Sequence, residues 1–392
     1  MNILVISNIY FPDKAGGAEI IAQKLAESLH KRGHRVNVLA TSEENCIDTV
    51  NDVTVHRVKM ENFYSITNKR RGKFLRMLWH FRDIYNSSMK KYIREIVNRE
   101  KPDIALVHNM VGFSISIYDE LKSLNIPFAQ VLHDRYVLCP NSNMFKKGKI
   151  CKKQCFICKL MRLRHVKKTS QASAVIGVSE SVLNVTKEHG YFANVPGYVI
   201  YNTMDVPKAE HKNWNGTGEL KIGFIGTLAQ NKGVEWLIKE FARLKINARL
   251  TIAGSGYSQY VEYLKGLAKG NNRIKFIGFA NAFEFYSQIH LLAVPSLWHE
   301  SFGLVAIESL ASGVPVIASK MGGLPEIVKK NANGLFCFPE SPNSLGECIV
   351  KLYEKPELLE QMSVNARDSV GIFLNVGKWI EKYENVFREV MK

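Results

Sequence analysis

Short apolar runs alternate with amphipathic helical stretches along this chain, and the alternation occurs twice. Ile3–Ser7 reads as a strand, followed by a loop holding Gly16-Gly17. An amphipathic run from Ala18 to Lys31 then places Ile20, Ile21, Leu25 and Leu29 on one face. Gly33 stops that helix and Val36–Ala40 forms the next strand, which completes a βαβ unit. Ile104–Val107, Phe128–Leu132, Ala174–Val178 and Tyr198–Tyr201 continue the pattern. Nearly continuous apolar strands separated by helices require a parallel sheet covered on both faces.

Residues 206–218 break the pattern with a polar stretch containing Pro207, Gly216 and Gly218, which reads as a linker. The alternation restarts at Leu220–Ile225, Arg249–Ala253, Ile274–Ile277, Leu291–Val294 and Val314–Ala318. The expected organisation is α/β, with two doubly wound, Rossmann-like parallel-sheet domains over 1–205 and 219–370. A C-terminal helix over 371–392, with Trp379, Tyr383 and Phe387 at helical spacing, is expected to cross back to the N-terminal domain. Ligands of open parallel sheets bind at strand carboxyl ends, so the cleft between the domains is the expected site.

The 392 residues are 46% hydrophobic and 23% charged, which excludes disordered and collagen-like classes. No run of 18 apolar residues is present to span a membrane, and the N-terminus reads as a strand rather than a secretion signal. Seven cysteines without such a signal fit a cytoplasmic protein with reduced thiols. The net charge of +17 is uneven: residues 1–200 hold 31 Lys and Arg against 17 Asp and Glu, whereas residues 201–392 hold 22 against 19. Two stretches carry the excess. Residues 69–94 interleave cations with Phe74, Leu75, Met77, Leu78, Trp79, Phe81 and Tyr85, and residues 146–168 hold ten Lys and Arg and no acid. Cations mixed with large apolar side chains on a helix suit an anionic membrane surface, or a solvated helix face.

The segment most specific for chemistry is 294–327. A strand ends near Pro295, and a turn carries His299-Glu300-Ser301-Phe302-Gly303. A helix follows to about Ser312. The free amides and positive dipole of a helix start bind an anion. Glu308 lies two turns beyond Glu300, about 12 Å along a helix axis. A nucleotide-sugar needs that set: amides at the diphosphate and one carboxylate each for sugar and ribose.

Glu300 and Glu308, then Gly313-Val314-Pro315-Val316-Ile317-Ala318 and Gly322-Gly323-Leu324-Pro325-Glu326, resemble the signature of the retaining glycosyltransferases of family 4, which have the GT-B fold. Gly16-Gly17 is similar to the family's N-terminal glycine loop, and His133 to its strand-end histidine. Tyr201-Asn202-Thr203-Met204-Asp205 resembles the Asn-Gly-x-Asp turn, with Thr203 in place of Gly. Gly226-Thr227-Leu228 and Lys232-Gly233 resemble the Gly-Arg-Leu…Lys-Gly loop, with Thr227 in place of Arg.

The resemblance implies that Lys232 pairs with the donor diphosphate and that the turn at Ser301, Phe302, Gly303 and Leu304 offers it amides. It implies Glu308 at the ribose, with Glu300 and His133 at the transferred sugar, and Gly16-Gly17 close to phosphate and acceptor. Thr227 removes one expected cation. No Asp-x-Asp occurs in the chain, so no catalytic metal or other cofactor is expected. The implied activity is retaining transfer of a hexose-type sugar from a UDP- or GDP-sugar. The implied acceptor is a lipid-linked saccharide of cell-surface polysaccharide synthesis, at the inner face of the membrane. A sugar phosphorylase or nucleotide-sugar epimerase of the same fold is the alternative enzyme.

Cys139, Cys151, Cys155 and Cys158 cluster within twenty residues of a basic insertion spanning about 139–168. Four thiolates suit a structural tetrahedral zinc, and free thiols in a loop are the other reading. A basic nucleic-acid-binding protein with a zinc module would share these features. However, the spacing matches no common finger, and nucleic acid is not expected as a partner.

Overall fold

Strand Asn2–Ser7 (β1) shows why the sheet is buried: five of its six residues are inaccessible, on both faces. It pairs in parallel with Arg35–Ser42 (β2) on one side and with Ile104–Asn109 (β5) on the other. The computed structural model describes residues 1–13, 16–65, 72–207 and 213–392. Most of the expected linker core, 208–212, and the basic residues 69–71 lie outside the described residues. The chain forms two units.

The first unit comprises Met1–Met144, Lys152–Asn202 and Val376–Lys392. Its eight-stranded sheet adds Cys46–Val50 (β3), Val53–Lys59 (β4), Phe128–Leu132 (β6), Ala174–Gly177 (β7) and Gly197–Val199 (β8), in the order β8-β7-β6-β5-β1-β2-β4-β3. The edge departs from the all-parallel expectation, because β3 runs antiparallel to β4. Asn51 and Asp52 join them with φ of 48° and 66°, the left-handed pair that a tight hairpin turn needs.

Helix Gly17–Lys31 (α1) buries Ile21, Ala22, Leu25, Ala26 and Leu29. Ile20, placed on the apolar face by spacing, is 45% exposed. Helix Lys73–Ile84 (α2) packs against helix Phe156–Thr169 (α3). The last helix, Val376–Val390 (α4), packs on α1, and Glu384 accepts from Arg32 at 2.8 Å and pairs with His34 at 2.9 Å.

The second unit comprises Phe145–Cys151 and Thr203–Asn375. Phe145–Lys146 and Lys149–Ile150 form a small hairpin. The main sheet is parallel throughout: Leu220–Ile225 (β9), Ala248–Ala253 (β10), Ile274–Gly278 (β11), Leu291–Val294 (β12), Val316–Ser319 (β13) and Gly334–Cys337 (β14), in the order β11-β10-β9-β12-β13-β14. Thr203 stands where the resembling family has Gly. Its hydroxyl donates to the Phe373 carbonyl at 2.8 Å, and the Met204 amide donates to the same oxygen at 3.0 Å.

Candidate functional site

The residues expected to meet the donor in the second unit gather beyond the carboxyl ends of β9 and β12. Lys232 ends a single turn of 3-10 helix, Gln230–Lys232, and Gly233 follows at φ 72°. A Cβ there would stand 1.8 Å from the Pro295 carbonyl oxygen, so only glycine lets the two loops approach. The Leu297 amide donates to the Asn231 carbonyl at 2.8 Å and closes the same contact. These contacts bring Lys232 Nζ to 2.7 Å from Glu300 Oε1, and Ser296 Oγ donates to that oxygen at 2.6 Å.

Burial opposes ionisation of Glu300, but the Lys232 ammonium and the Ser296 hydroxyl prevail and hold the carboxyl below its usual range. Lys232 also lies 5.1 Å from the centroid of the Trp298 ring. Gly322, at φ 60°, supports the turn from behind. A Cβ there would meet the Glu300 carbonyl oxygen at 2.1 Å, and the Gly323 amide donates to that oxygen at 2.8 Å.

The helix after the turn spans Leu304–Ala311, with Gly303 as its N-cap. Glu300 therefore lies in the turn before the helix, and the 12 Å axial spacing to Glu308 does not apply, because no single helix joins them. Phe302 is buried against Phe373 in an edge-on contact, whereas Ser301, Gly303 and Leu304 stay partly accessible. Glu308 accepts from the Tyr286 hydroxyl at 2.9 Å, and burial raises its carboxyl above the ordinary value. Thr227 is exposed at the end of β9.

Two family descriptions match this chain: Glycosyltransferase Family 4 over residues 15–207 and Glycosyl transferases group 1 over residues 206–369. The chain belongs to the family 4, group 1 glycosyltransferases. It is 29% identical to an uncharacterized 42.6 kDa protein in the cps region of Klebsiella pneumoniae, over 83% of this chain and 87% of that one. It is 23% identical to the N-acetyl-alpha-D-glucosaminyl L-malate synthase of Bacillus anthracis, over 96% and 95%. Its fold is GT-B. The sucrose-phosphate synthase of Thermosynechococcus elongatus superposes with a TM-score of 0.79 at 19% identity, covering 99% and 98% of the two chains. Anabaena HepE in complex with UDP-glucose gives 0.73 at 19% identity, covering 99% and 100%.

In the first unit of this glycosyltransferase, Gly16 caps α1 in extended backbone and Gly17 is its first residue; both are exposed. His133 follows β6. Its Nε2 lies 2.8 Å from His108 Nδ1, with the rings stacked at 5.0 Å. Burial pushes His133 down to about 4 and holds His108 well below the ordinary histidine range, so both imidazoles are neutral at pH 7. Asp134 beside them is pushed up to about 6, mainly by burial.

His108, Ser296 and Tyr286 are partners that the sequence did not single out. His108 closes β5 as a strand-end histidine, the same signal that marked His133. Ser296 lies four residues before Glu300, and Tyr286 had no local signal.

Cys158 Sγ lies 3.4 Å from Cys155 Sγ and 3.9 Å from Cys139 Sγ in the first unit, and Cys151 belongs to the second. Those separations lie near the edge of a zinc–thiolate tetrahedron, about 3.8 Å for 2.3 Å bonds. Among the described residues, however, no group of three or more His, Cys, Asp or Glu is arranged to hold a metal ion. Cys139, Cys155 and Cys158 are the expected ligands that one unit brings together.

Proposed function

We propose that this glycosyltransferase moves a hexose-type sugar, with retention, from a UDP- or GDP-sugar to a lipid-linked saccharide. The observation carrying this reading is the Glu300 carboxylate, kept ionised by Lys232 and Ser296 in the turn that leads into the helix Leu304–Ala311. An ionised carboxylate stabilises the positive charge that develops at an anomeric carbon. Lys232 has two further ammonium protons for a diphosphate. Neutral His133 can hydrogen-bond the sugar without repelling that charge, and Glu308 accepts from the ribose hydroxyls.

In this reading the anomeric carbon–phosphate oxygen bond breaks while the acceptor oxygen bonds to the same face of the sugar. The acceptor proton passes to the departing phosphate oxygen. In this reading the Lys232 cation and the helix start at Gly303–Leu304 carry the diphosphate charge, and no step calls for a metal. Complexes of HepE with UDP-glucose and of a plant starch synthase with ADP support a nucleotide-sugar donor. The Klebsiella relative in a cps region supports a polysaccharide pathway.

The membrane side of the proposal rests on α2 and α3. Phe74, Met77 and Phe81 on α2 are exposed, as are Phe156, Ile157, Leu160 and Leu163 on α3, with Arg76, Arg82, Lys159, Arg164 and Lys167 among them. Among the described residues no helix is long and apolar enough to cross a membrane, so an anionic leaflet would be met from one side.

A screen of common UDP-, GDP-, ADP- and dTDP-sugars for nucleotide release tests the reading. Release from one donor, unchanged by EDTA and lost in Glu300→Ala, is the expected result. Silence from every donor, together with no binding of UDP or GDP by calorimetry, overturns it.

A further inference from the structure

Beneath the His133 turn lies a buried polar cluster that takes no part in the chemistry above. Arg162, on α3, is 1% exposed, although its sequence neighbourhood is the basic surface stretch. Its guanidinium lies 4.2 Å from the centroid of the Tyr136 ring, and its Nε donates to the Tyr136 carbonyl at 2.9 Å. Asp83, on α2, is also 1% exposed. It accepts the Tyr136 hydroxyl at 2.5 Å and the Gly112 amide at 2.7 Å. The Tyr136 amide in turn donates to Asp134 at 2.7 Å. Tyr136 is thus held through its ring, its hydroxyl, its carbonyl and its amide.

Burying a carboxylate and a guanidinium is expensive, and an apolar plug of equal volume would be at least as stable. What the charged version adds is direction. A hydrogen-bonded carboxylate and a stacked, planar guanidinium fix the angle of a phenol ring in a way that packing alone does not. His165, fully buried with both ring nitrogens unpartnered among the described residues, packs edge-on to the same ring. Beyond Tyr136 the loop closes on itself, with Arg135 and Ser142 joined at 3.0 Å and the Cys139 amide bonded to the Arg135 carbonyl at 2.9 Å. Besides the Gly112 loop that Asp83 also holds, the cluster is placed to orient the turn from His133 to Tyr136.

We propose that Asp83, Tyr136 and Arg162 are positioning residues that aim the His133–Asp134 turn at the transferred sugar. The inference rests on the transferase reading for the role of His133, but the clamp itself can be tested without turnover. Tyr136→Phe removes the bond to Asp83 and keeps the ring. Arg162→Lys keeps the charge and removes the planar stack.

Both variants, checked for cooperative thermal unfolding, are compared with wild type in three measurements. These are the imidazole NMR signals of labelled histidine assigned to His133, UDP affinity by calorimetry, and release of nucleotide from the accepted sugar donor. The expected result is a shifted or broadened His133 signal, UDP affinity within twofold of wild type, and a fall in kcat of about tenfold at unchanged donor KM. Unchanged His133 signals in folded variants overturn the proposal, as does a loss of turnover that tracks lost UDP affinity. If wild-type protein releases nucleotide from no donor and binds neither UDP nor GDP, the transferase reading falls, and the His133 signal alone decides for or against the clamp.

Discussion

Lys232 Nζ and Glu300 Oε1 stand 2.7 Å apart, although 68 residues separate them in the chain. The pair ties the loop after β9 to the loop after β12, and it fixes the charge state of the carboxylate on which the proposed chemistry depends. Removing the cation leaves a buried carboxylate with Ser296 as a remaining donor. Lys232→Ala is expected to cost about 1–3 kcal/mol of stability and to lower donor turnover at least a hundredfold. Denaturant titration and the nucleotide-release assay measure the two effects. Lys232→Arg, which restores the charge, should recover part of both. Gly322→Ala should damage the same turn without touching a charge, because its Cβ meets the Glu300 carbonyl at 2.1 Å in a left-handed backbone.

Glu308 gives a pH signature that Glu300 cannot. Its carboxyl is raised above the ordinary value by burial, whereas Glu300 is held below. With Glu308 at the ribose as proposed, the hydroxyls bind its ionised form best, so donor affinity should strengthen as pH rises through the raised pKa of Glu308. The donor KM measured from pH 4.5 to 7.5 is therefore expected to fall with rising pH. In Glu308→Gln that slope should flatten, with KM raised at pH 7. A slope that persists in the variant assigns the titration to another group.

The stacked His108–His133 pair makes the first unit sensitive to acid. Both imidazoles are neutral when folded and regain ordinary basicity when unfolded. Between pH 6.5 and about 4 the unfolded chain therefore binds protons at these histidines that the folded chain does not, so the pair's contribution to stability falls as pH drops through that window, while the raised Asp134 carboxyl works in the opposite sense. For His133, moved from 6.5 to about 4, the loss approaches about 3 kcal/mol at the acid end. Thermal midpoints from pH 7 to pH 4 should decline less steeply in His133→Gln than in the wild type.

Flotation with liposomes tests the exposed faces of α2 and α3. Binding to vesicles rich in anionic lipid, and not to neutral ones, is the expected outcome, weakening as salt screens the charge. Replacing Leu160 and Leu163, 59% and 67% exposed, by Ser should reduce binding and leave UDP affinity unchanged. Equal flotation with neutral lipid would remove the electrostatic part of the proposal.

Much of this could be read from the residues in order. Strands buried on both faces announce themselves as apolar runs, which is why β1, β5, β6, β9 and β12 lie within a residue or two of where the sequence puts them. The motif around Glu300 was equally legible, because its glycines are demanded by backbone contacts local to the turn. The β3–β4 hairpin was missed because β3 is largely exposed and polar residues interrupt the apolar pattern of both strands, and the Asn51-Asp52 turn was the available signal. Arg162 and Asp83 were misleading for the opposite reason. Each is a charge on an amphipathic helix with charged neighbours, and charge on such a helix normally faces water. Only the helix packing reveals that these two point inward. Tyr286 meets Glu308 through a contact between two helices, which leaves no local pattern.

The Phe373 carbonyl, which accepts from both Thr203 and Met204, has a consequence for how the enzyme can be handled. The point where the chain enters the second unit is stapled to the point where it leaves. A graft of Thr203–Asn375 onto the first unit of a relative would carry its two loose ends already joined, with the Phe145–Cys151 hairpin moved alongside it. Under the proposed function, that graft would transfer donor choice as one cassette and leave acceptor choice with the recipient.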